Sequence, residues 1–307
     1  MGSYYGGRLW EGVRSKADTN VLFHLRNEHY DHCKKFGIDV SSYHGDFSIP
    51  AEDLMAFPTT QLMAESINND DNDDRGCFDW VVVALKSTSL EDLPDLIEPL
   101  VSPQTRLLVV MNGLIEDDLM QMLRKQRELK GLEGVGCKAI YGGMALICSN
   151  RLSPGKISHT YGGKLVCGVA YSSADANDDN GKWVESDKQA ILDLFEPVTP
   201  VPFEFEPNLR RGRWWKNVWN LPFSGISVAM GGITVDRIVG DPSLRNLAYK
   251  VIDETIEIAN ADLKKHGCSE DELLGEETVR DCCRSISLHF VYSSVLISCS
   301  FFTHQEG

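Results

Sequence analysis

Two runs in the first half of the chain restrict what it can fold into: Asp79–Leu85 (DWVVVAL) and Arg106–Met111 (RLLVVM). Both are nearly unbroken β-branched and aliphatic stretches, without the alternation of a strand that faces water on one side. Strands of this kind are buried on both faces and need cover on both. The residues around them read as that cover: Ser89–Leu100 and Glu116–Lys130 carry helical patterns. Strand–helix–strand alternation predicts a parallel α/β sheet. Asn20–Leu25 (NVLFHL) reads as another strand, and Ala139–Cys148, Lys156–His159 and Lys164–Val169 as short strands completing the sheet.

After Val198 the pattern changes. Glu196–Pro207 (EPVTPVPFEFEP) is proline-rich and reads as a connection between domains. Beyond it the chain reads as mostly helical. In Leu244–His266 the residues Leu247, Val251, Ile252, Ile256 and Ala259 fall roughly on one face, with Gly267 as the stop. The expectation is a Rossmann-like, doubly wound domain over residues 1–203 and an all-helical domain over 204–307.

Composition removes several classes of function. A formal charge of −15 and a pI near 4.9 argue against a nucleic-acid partner or an anionic membrane surface. The acidic runs Asp70–Asp74 and Asp175–Asn180 read as exposed loops, since neither has the glycine and distal glutamate of a calcium loop. The nine cysteines include no C-x-x-C pair, so no metal site is expected, and an odd count fits a reducing compartment. The start lacks the apolar core of a signal peptide. The apolar-leaning run Leu288–Phe302 is broken by serines and cysteines and is shorter than the ~20 residues of a spanning helix. The reading is a soluble, cytoplasmic protein.

The segment Arg213–Ser227 (RWWKNVWNLPFSGIS) says most about chemistry. Lys216, Asn220 and Ser224 follow at four-residue steps, so a helix lines up an ammonium, an amide and a hydroxyl on one face, beside Trp214, Trp215 and Trp219. Such a stripe suits binding a small polar molecule and protonating it. Pro222 predicts a kink just after Asn220. The alternative is an amphipathic core helix with a solvated lysine.

In parallel sheets, ligands bind beyond the carboxyl ends of the strands. Arg26, Lys86 and Asn112 follow three predicted strands. An arginine after the second strand of a dinucleotide fold suits the 2′-phosphate of NADP, where an acid suits NAD. The alternative is three ordinary surface or turn residues. The G-x-G-x-x-G fingerprint is not present; the opening MGSYYGGRL reads as its end, with Gly2 as the third glycine and the first strand expected ahead of Met1.

Taken in order, GSYYGGRL, FHLR, VVVALKS, VVMNG, YGGMAL, PGKISH and RWWKNVWN make the chain resemble the ketopantoate reductases (2-dehydropantoate 2-reductases). The resemblance implies NADPH-dependent reduction of 2-dehydropantoate, a small 2-keto acid, in pantothenate biosynthesis. It implies Lys216 as the general acid and Asn220 and Ser224 as substrate contacts, Ser224 standing where the family has a second asparagine. Asn112 is implied to touch both cofactor and substrate, and Gly2, Arg26 and Lys86 to hold NADP. Ser294, for substrate, and Glu306, for cofactor, match by spacing from the family's last motif, although their neighbours do not match. A homodimer is compatible with this reading. Two alternatives stay open: a reductase of another 2-keto acid on the same scaffold, and a non-catalytic homologue with a binding or regulatory role.

Overall fold

The computed structural model describes residues 1–16, 18–67, 78–175 and 184–275. The acidic runs at 70–74 and 176–180, Ser294 and Glu306 lie outside them. The chain forms two compact units, Met1–Leu209 and Arg210–Gly307.

The first unit opens with helix α1 (Gly2–Val13), then β1 (Phe23–His24), α2 (Asn27–Phe36), β2 (Ile38–Ser42), β3 (Phe47–Ile49), β4 (Ala56–Phe57) and α3 (Thr60–Glu65). It continues with β5 (Trp80–Val83), α4 (Leu93–Ile97), β6 (Arg106–Val109), α5 (Glu116–Glu128), β7 (Ala139–Ser153), β8 (Lys156–Ser172), α6 (Glu185–Phe195) and β9 (Phe203–Phe205). The main sheet runs β3-β2-β8-β7-β6-β5, with β9 beside β8, while β1 and β4 pair separately. Pairs β5–β6, β6–β7, β2–β8, β8–β9 and β1–β4 are parallel; β7–β8 and β2–β3 are antiparallel.

The period of two along β6 shows why the sheet is covered twice. Leu107 and Val109 point into one core with Met63 of α3, Leu93 and Ile97 of α4, and Leu119 and Leu123 of α5. Leu108 and the following Val110 point into the other, with Tyr4, Tyr5 and Leu9 of α1 and Ile191 and Phe195 of α6. This is the doubly wound arrangement expected, but of the two unbroken runs only β6 is buried on both faces: β5 ends the strand order, and Val82 between the buried Val81 and Val83 is exposed, so the Asp79–Leu85 run is not covered on both sides as expected. Glycine lets α1 approach closely: a Cβ on Gly6 would sit 2.8 Å from the Phe23 ring, and one on Gly7 2.6 Å from Phe47.

Several elements differ from expectation. The helix expected over Ser89–Leu100 is cut to α4 with 3₁₀ turns on either side, because Pro94 and Pro99 each sit at a helix start and supply no N–H. The two short strands expected at Lys156–His159 and Lys164–Val169 are one strand, β8. Gly162 and Gly163, at φ 73° and 111°, carry it through a register shift instead of ending it. The proline-rich passage contains β9, in register with Leu165–Cys167.

The second unit is helical: α7 (Leu209–Ala229), α8 (Val235–Gly240) and α9 (Pro242–Lys265). Asp241 caps α9 by accepting from the Ser243 and Leu244 amides, with Pro242 in the first turn. Val218, Phe223 and Ile226 of α7 pack with Ile238 of α8 and with Ile252, Ile256, Ala259 and Leu263 of α9. Among the described residues, no helix is long and apolar enough to cross a membrane.

Candidate active site

In the first unit, β5 and β6 run parallel with Val83 opposite Val109, and the Val110 amide donates to the Val83 carbonyl at 2.7 Å. Lys86 and Asn112 each stand three residues beyond that registered pair, so both reach the same edge of the sheet. Gly2, at the start of α1, lies beside Ala84: a Cβ on Gly2 would be 3.5 Å from the Ala84 Cβ. Arg26 follows β1 and sits at the N-terminal boundary of α2, where its extended backbone turns into the helix. Arg26, Lys86 and Asn112 are exposed.

These groups suit an anionic dinucleotide. The first turn of α1 holds no acid, and among the described residues no side chain caps it, so its leading amides and dipole favour a phosphate. Arg26 and Lys86 add two exposed cations, and a guanidinium matches a phosphate with two parallel donors. Among the described residues, no group of histidine, cysteine or acidic side chains is arranged to hold a metal ion.

In the second unit, Lys216, Asn220 and Ser224 share one face of α7. The helix is continuous, with Pro222 inside it. Lys216 is not solvated: it is 9% exposed, while Asn220 and Ser224 are half-buried. Burial, and after it the Arg213 guanidinium, pull its ammonium down to about 7. A lysine near that value gives up a proton readily at neutral pH, which suits a general acid.

Two features of this helix escaped sequence reasoning. Arg213, one turn before Lys216, is only 2% exposed. Asp262 of α9 accepts from Trp214 Nε1 at 2.7 Å and from Arg210 Nη1 at 2.9 Å, which ties down the turn before Lys216. Burial alone would raise the Asp262 carboxyl, but these two hydrogen bonds and the charges of Arg210 and His266 hold it below the usual range. An arginine within the RWW run was the available signal for the first; nothing local marked the second.

Comparison with known proteins settles the kinship. Residues 1–171 match the family model described as ketopantoate reductase PanE/ApbA, and residues 208–298 match its C-terminal companion. The chain belongs to the ketopantoate reductase family. Among family relatives, it is 30% identical over 255 residues to a 2-dehydropantoate 2-reductase of Nostoc sp., covering 83% of this chain and 68% of that one. It is 25% identical to an uncharacterized oxidoreductase, YkpB, of Bacillus subtilis, covering 94% and 80%. The fold matches the crystal structure of 2-dehydropantoate 2-reductase from Geobacter metallireducens with a TM-score of 0.71 at 24% identity, over 95% of this chain and 81% of that one. It also matches D-mandelate dehydrogenase solved with NADH and anilino(oxo)acetate, with a TM-score of 0.66 at 15% identity, over 94% and 77%. In a ketopantoate reductase, the N-terminal unit is Rossmann-like and the C-terminal one helical, as here.

Proposed function

We propose that this chain reduces a 2-keto acid with NADPH, that 2-dehydropantoate is the substrate, and that the reaction serves pantothenate biosynthesis. The observation that carries this reading is the buried Lys216, with its lowered proton affinity, on one helical face with Asn220 and Ser224. NADPH, when bound, supplies the hydride. Arg26, Lys86 and the start of α1 at Gly2 hold its phosphates, Arg26 taking the 2′-phosphate that separates NADP from NAD. Asn112 holds cofactor and substrate together at the sheet edge. Asn220 and Ser224 orient the keto acid. Lys216 Nζ donates a proton to the carbonyl oxygen as negative charge develops there. Nothing in this reading depends on Ser294 or Glu306.

A second reading, reduction of a different 2-keto acid, draws on Ser224. Its hydroxyl is shorter than an amide, and it borders a shallow concavity with Gly225, Val228 and Ala229. The test is to follow NADPH and NADH oxidation by the purified protein with 2-dehydropantoate and a panel of other 2-keto acids, alongside fluorescence titration of NADPH. Turnover of 2-dehydropantoate above the panel supports the first reading, and turnover of another acid the second. Failure to bind either NADPH or NADH overturns both in favour of a non-catalytic protein. Gel filtration with light scattering decides whether the protein is a homodimer.

A further inference from the structure

Strands β1 and β5 each use only one of their two edges. The backbone groups of successive strand residues point to opposite edges. At β5 the Asp79 and Val83 carbonyls accept from the Arg106 and Val110 amides at 2.9 and 2.7 Å, so Trp80, Val82 and Ala84 point away from β6. At β1 the Phe23 and Leu25 amides donate to the Met55 and Phe57 carbonyls at 2.8 and 3.0 Å, so Leu22 and His24 point away from β4. Among the described residues, no strand pairs with either outward edge. Burial follows the same division. Phe23, Leu25, Val81 and Val83 are buried, whereas Leu22, His24, Trp80 and Ala84 are half-buried and Val82 is exposed.

The two outward edges border one slot. Leu22, just ahead of β1, and Phe57 of β4 pack on the same core as Val81 and Val83. Phe23 and Leu25 lie in the other core, against which Trp80 and Ala84 pack. Both strands therefore stand in one layer between the same two cores. Helix α1 reaches across them: a Cβ on Gly2 would be 3.5 Å from the Ala84 Cβ, and one on Gly6, a turn later, 2.8 Å from the Phe23 ring. A strand entering here would lie between two apolar layers and would continue two ladders already formed, β4–β1 and β6–β5. Unpaired edges of this kind are templates for strand addition.

We propose that the slot between β1 and β5 is a strand-addition site whose occupant is an extended apolar peptide running parallel to β5. Apolar side chains on both faces of the peptide suit the two cores, and the outward amides and carbonyls of Leu22, His24, Trp80, Val82 and Ala84 supply its ladder. The parallel direction is that of the β1–β4 and β5–β6 pairs. No part of the site draws on Lys216, so it stands or falls apart from the proposed reaction.

The probe is a short synthetic peptide of valine and isoleucine between lysine ends, mixed with the full chain, with amide hydrogen exchange followed by NMR. At a peptide concentration about ten times its dissociation constant, exchange at Leu22, His24, Trp80, Val82 and Ala84 should slow by about tenfold. Val81 and Val83, which face β6, should change little. Val82→Pro removes one outward N–H and leaves the β6 side intact. It should unfold close to the wild-type urea midpoint yet lose most of the peptide binding. If Val82→Pro does not fold, Val82→Lys, which guards an edge by charge, takes its place. Absence of protection at the outward amides overturns the proposal, as does peptide binding unchanged in the folded variant. Slowing of the same amides with protein concentration alone also overturns it, because a second copy of the chain is then the occupant.

Discussion

The indole N–H of Trp214 donates to Asp262 Oδ2 at 2.7 Å, joining α7 to α9 across 48 positions of sequence. Arg210 donates to the same oxygen at 2.9 Å. Removing the carboxylate strands two donors in a partly buried place. Asp262→Ala is expected to lower stability by about 2–3 kcal/mol, and Asp262→Asn by less, since the amide oxygen still accepts. The folded-state carboxyl is held below its unfolded value, so its contribution is complete above the ordinary aspartate range and fades as pH falls through it. In urea unfolding, the gap between wild type and Asp262→Asn should therefore narrow as pH falls through and below the ordinary aspartate range.

Lys216→Ala should lower kcat by about 10²–10⁴-fold while changing the NADPH dissociation constant little. Stopped-flow turnover and fluorescence titration on the same preparation measure both quantities. Equal losses in the two would assign Lys216 to cofactor binding rather than proton transfer.

The buried ammonium also sets a stability trend. Lys216 is lowered from 10.5 to about 7, so between these values the unfolded chain binds the extra proton and the native state does not. Stability then rises with pH across that window, by up to about 1.4 kcal/mol per unit. Below it, both states are charged and the cost of burying the charge is fully present. Lys216→Met should be more stable than wild type near pH 7, and its advantage should shrink toward pH 10. Activity runs the opposite way, because only the protonated lysine donates: kcat/KM should fall as pH rises past about 7.

His159 gives an acid-side counterpart. It is buried, its Nδ1 lies 2.8 Å from Ser42 Oγ, and its ring centroid is 4.3 Å from that of Tyr4 and 5.2 Å from that of His44. Burial first, and His44 and Arg8 besides, bring it down to about 4 from 6.5. Across that window the unfolded state takes the proton and the native state does not, so acid destabilises the fold. His159→Asn keeps a polar group toward Ser42 and removes the titration. Its melting temperature should fall less steeply than that of wild type between pH 6.5 and 4.

Two glycine substitutions should move stability in opposite directions. Alanine in a helix interior is favoured over glycine by about 1 kcal/mol. At Gly225 of α7 a Cβ meets nothing within 4 Å among the described residues, so Gly225→Ala should stabilise by about that amount. At Gly12 of α1 a Cβ would lie 2.7 Å from the Pro197 carbonyl oxygen, which is backbone and yields little. The overpacking penalty of about 1–3 kcal/mol then outweighs the propensity gain, and Gly12→Ala should melt at a lower temperature than wild type.

Much of this molecule was legible in short-range pattern. The parallel strands β5 and β6, the positions of Lys86 and Asn112 past them, and the Lys216–Asn220–Ser224 spacing are all local facts of the chain, whereas the exposure of Val82 follows from the place of β5 at the end of the sheet. What escaped depends on distant partners. Asp262 looks like any acid on α9 until Trp214 and Arg210 are brought to it. That β8 is one strand depends on its pairing with β7, because Gly162 and Gly163 alone read as a break. The burial of Lys216 depends on what packs around α7, so the helix pattern by itself favoured a solvated lysine.

Pro222 has one more consequence. The helix runs on from Leu209 to Ala229, but a proline has no N–H, so the Val218 carbonyl lacks the rung that residue 222 would supply. Asp262 ties down the stretch ahead of Lys216; Ser224 lies past the missing rung. In the proposed reaction, the proton donor and the third side chain of the stripe therefore stand on either side of a missing backbone hydrogen bond. On that reading, an exchange of Ser224 is expected to change which acid this chain accepts while leaving the proton supply at Lys216 where it is.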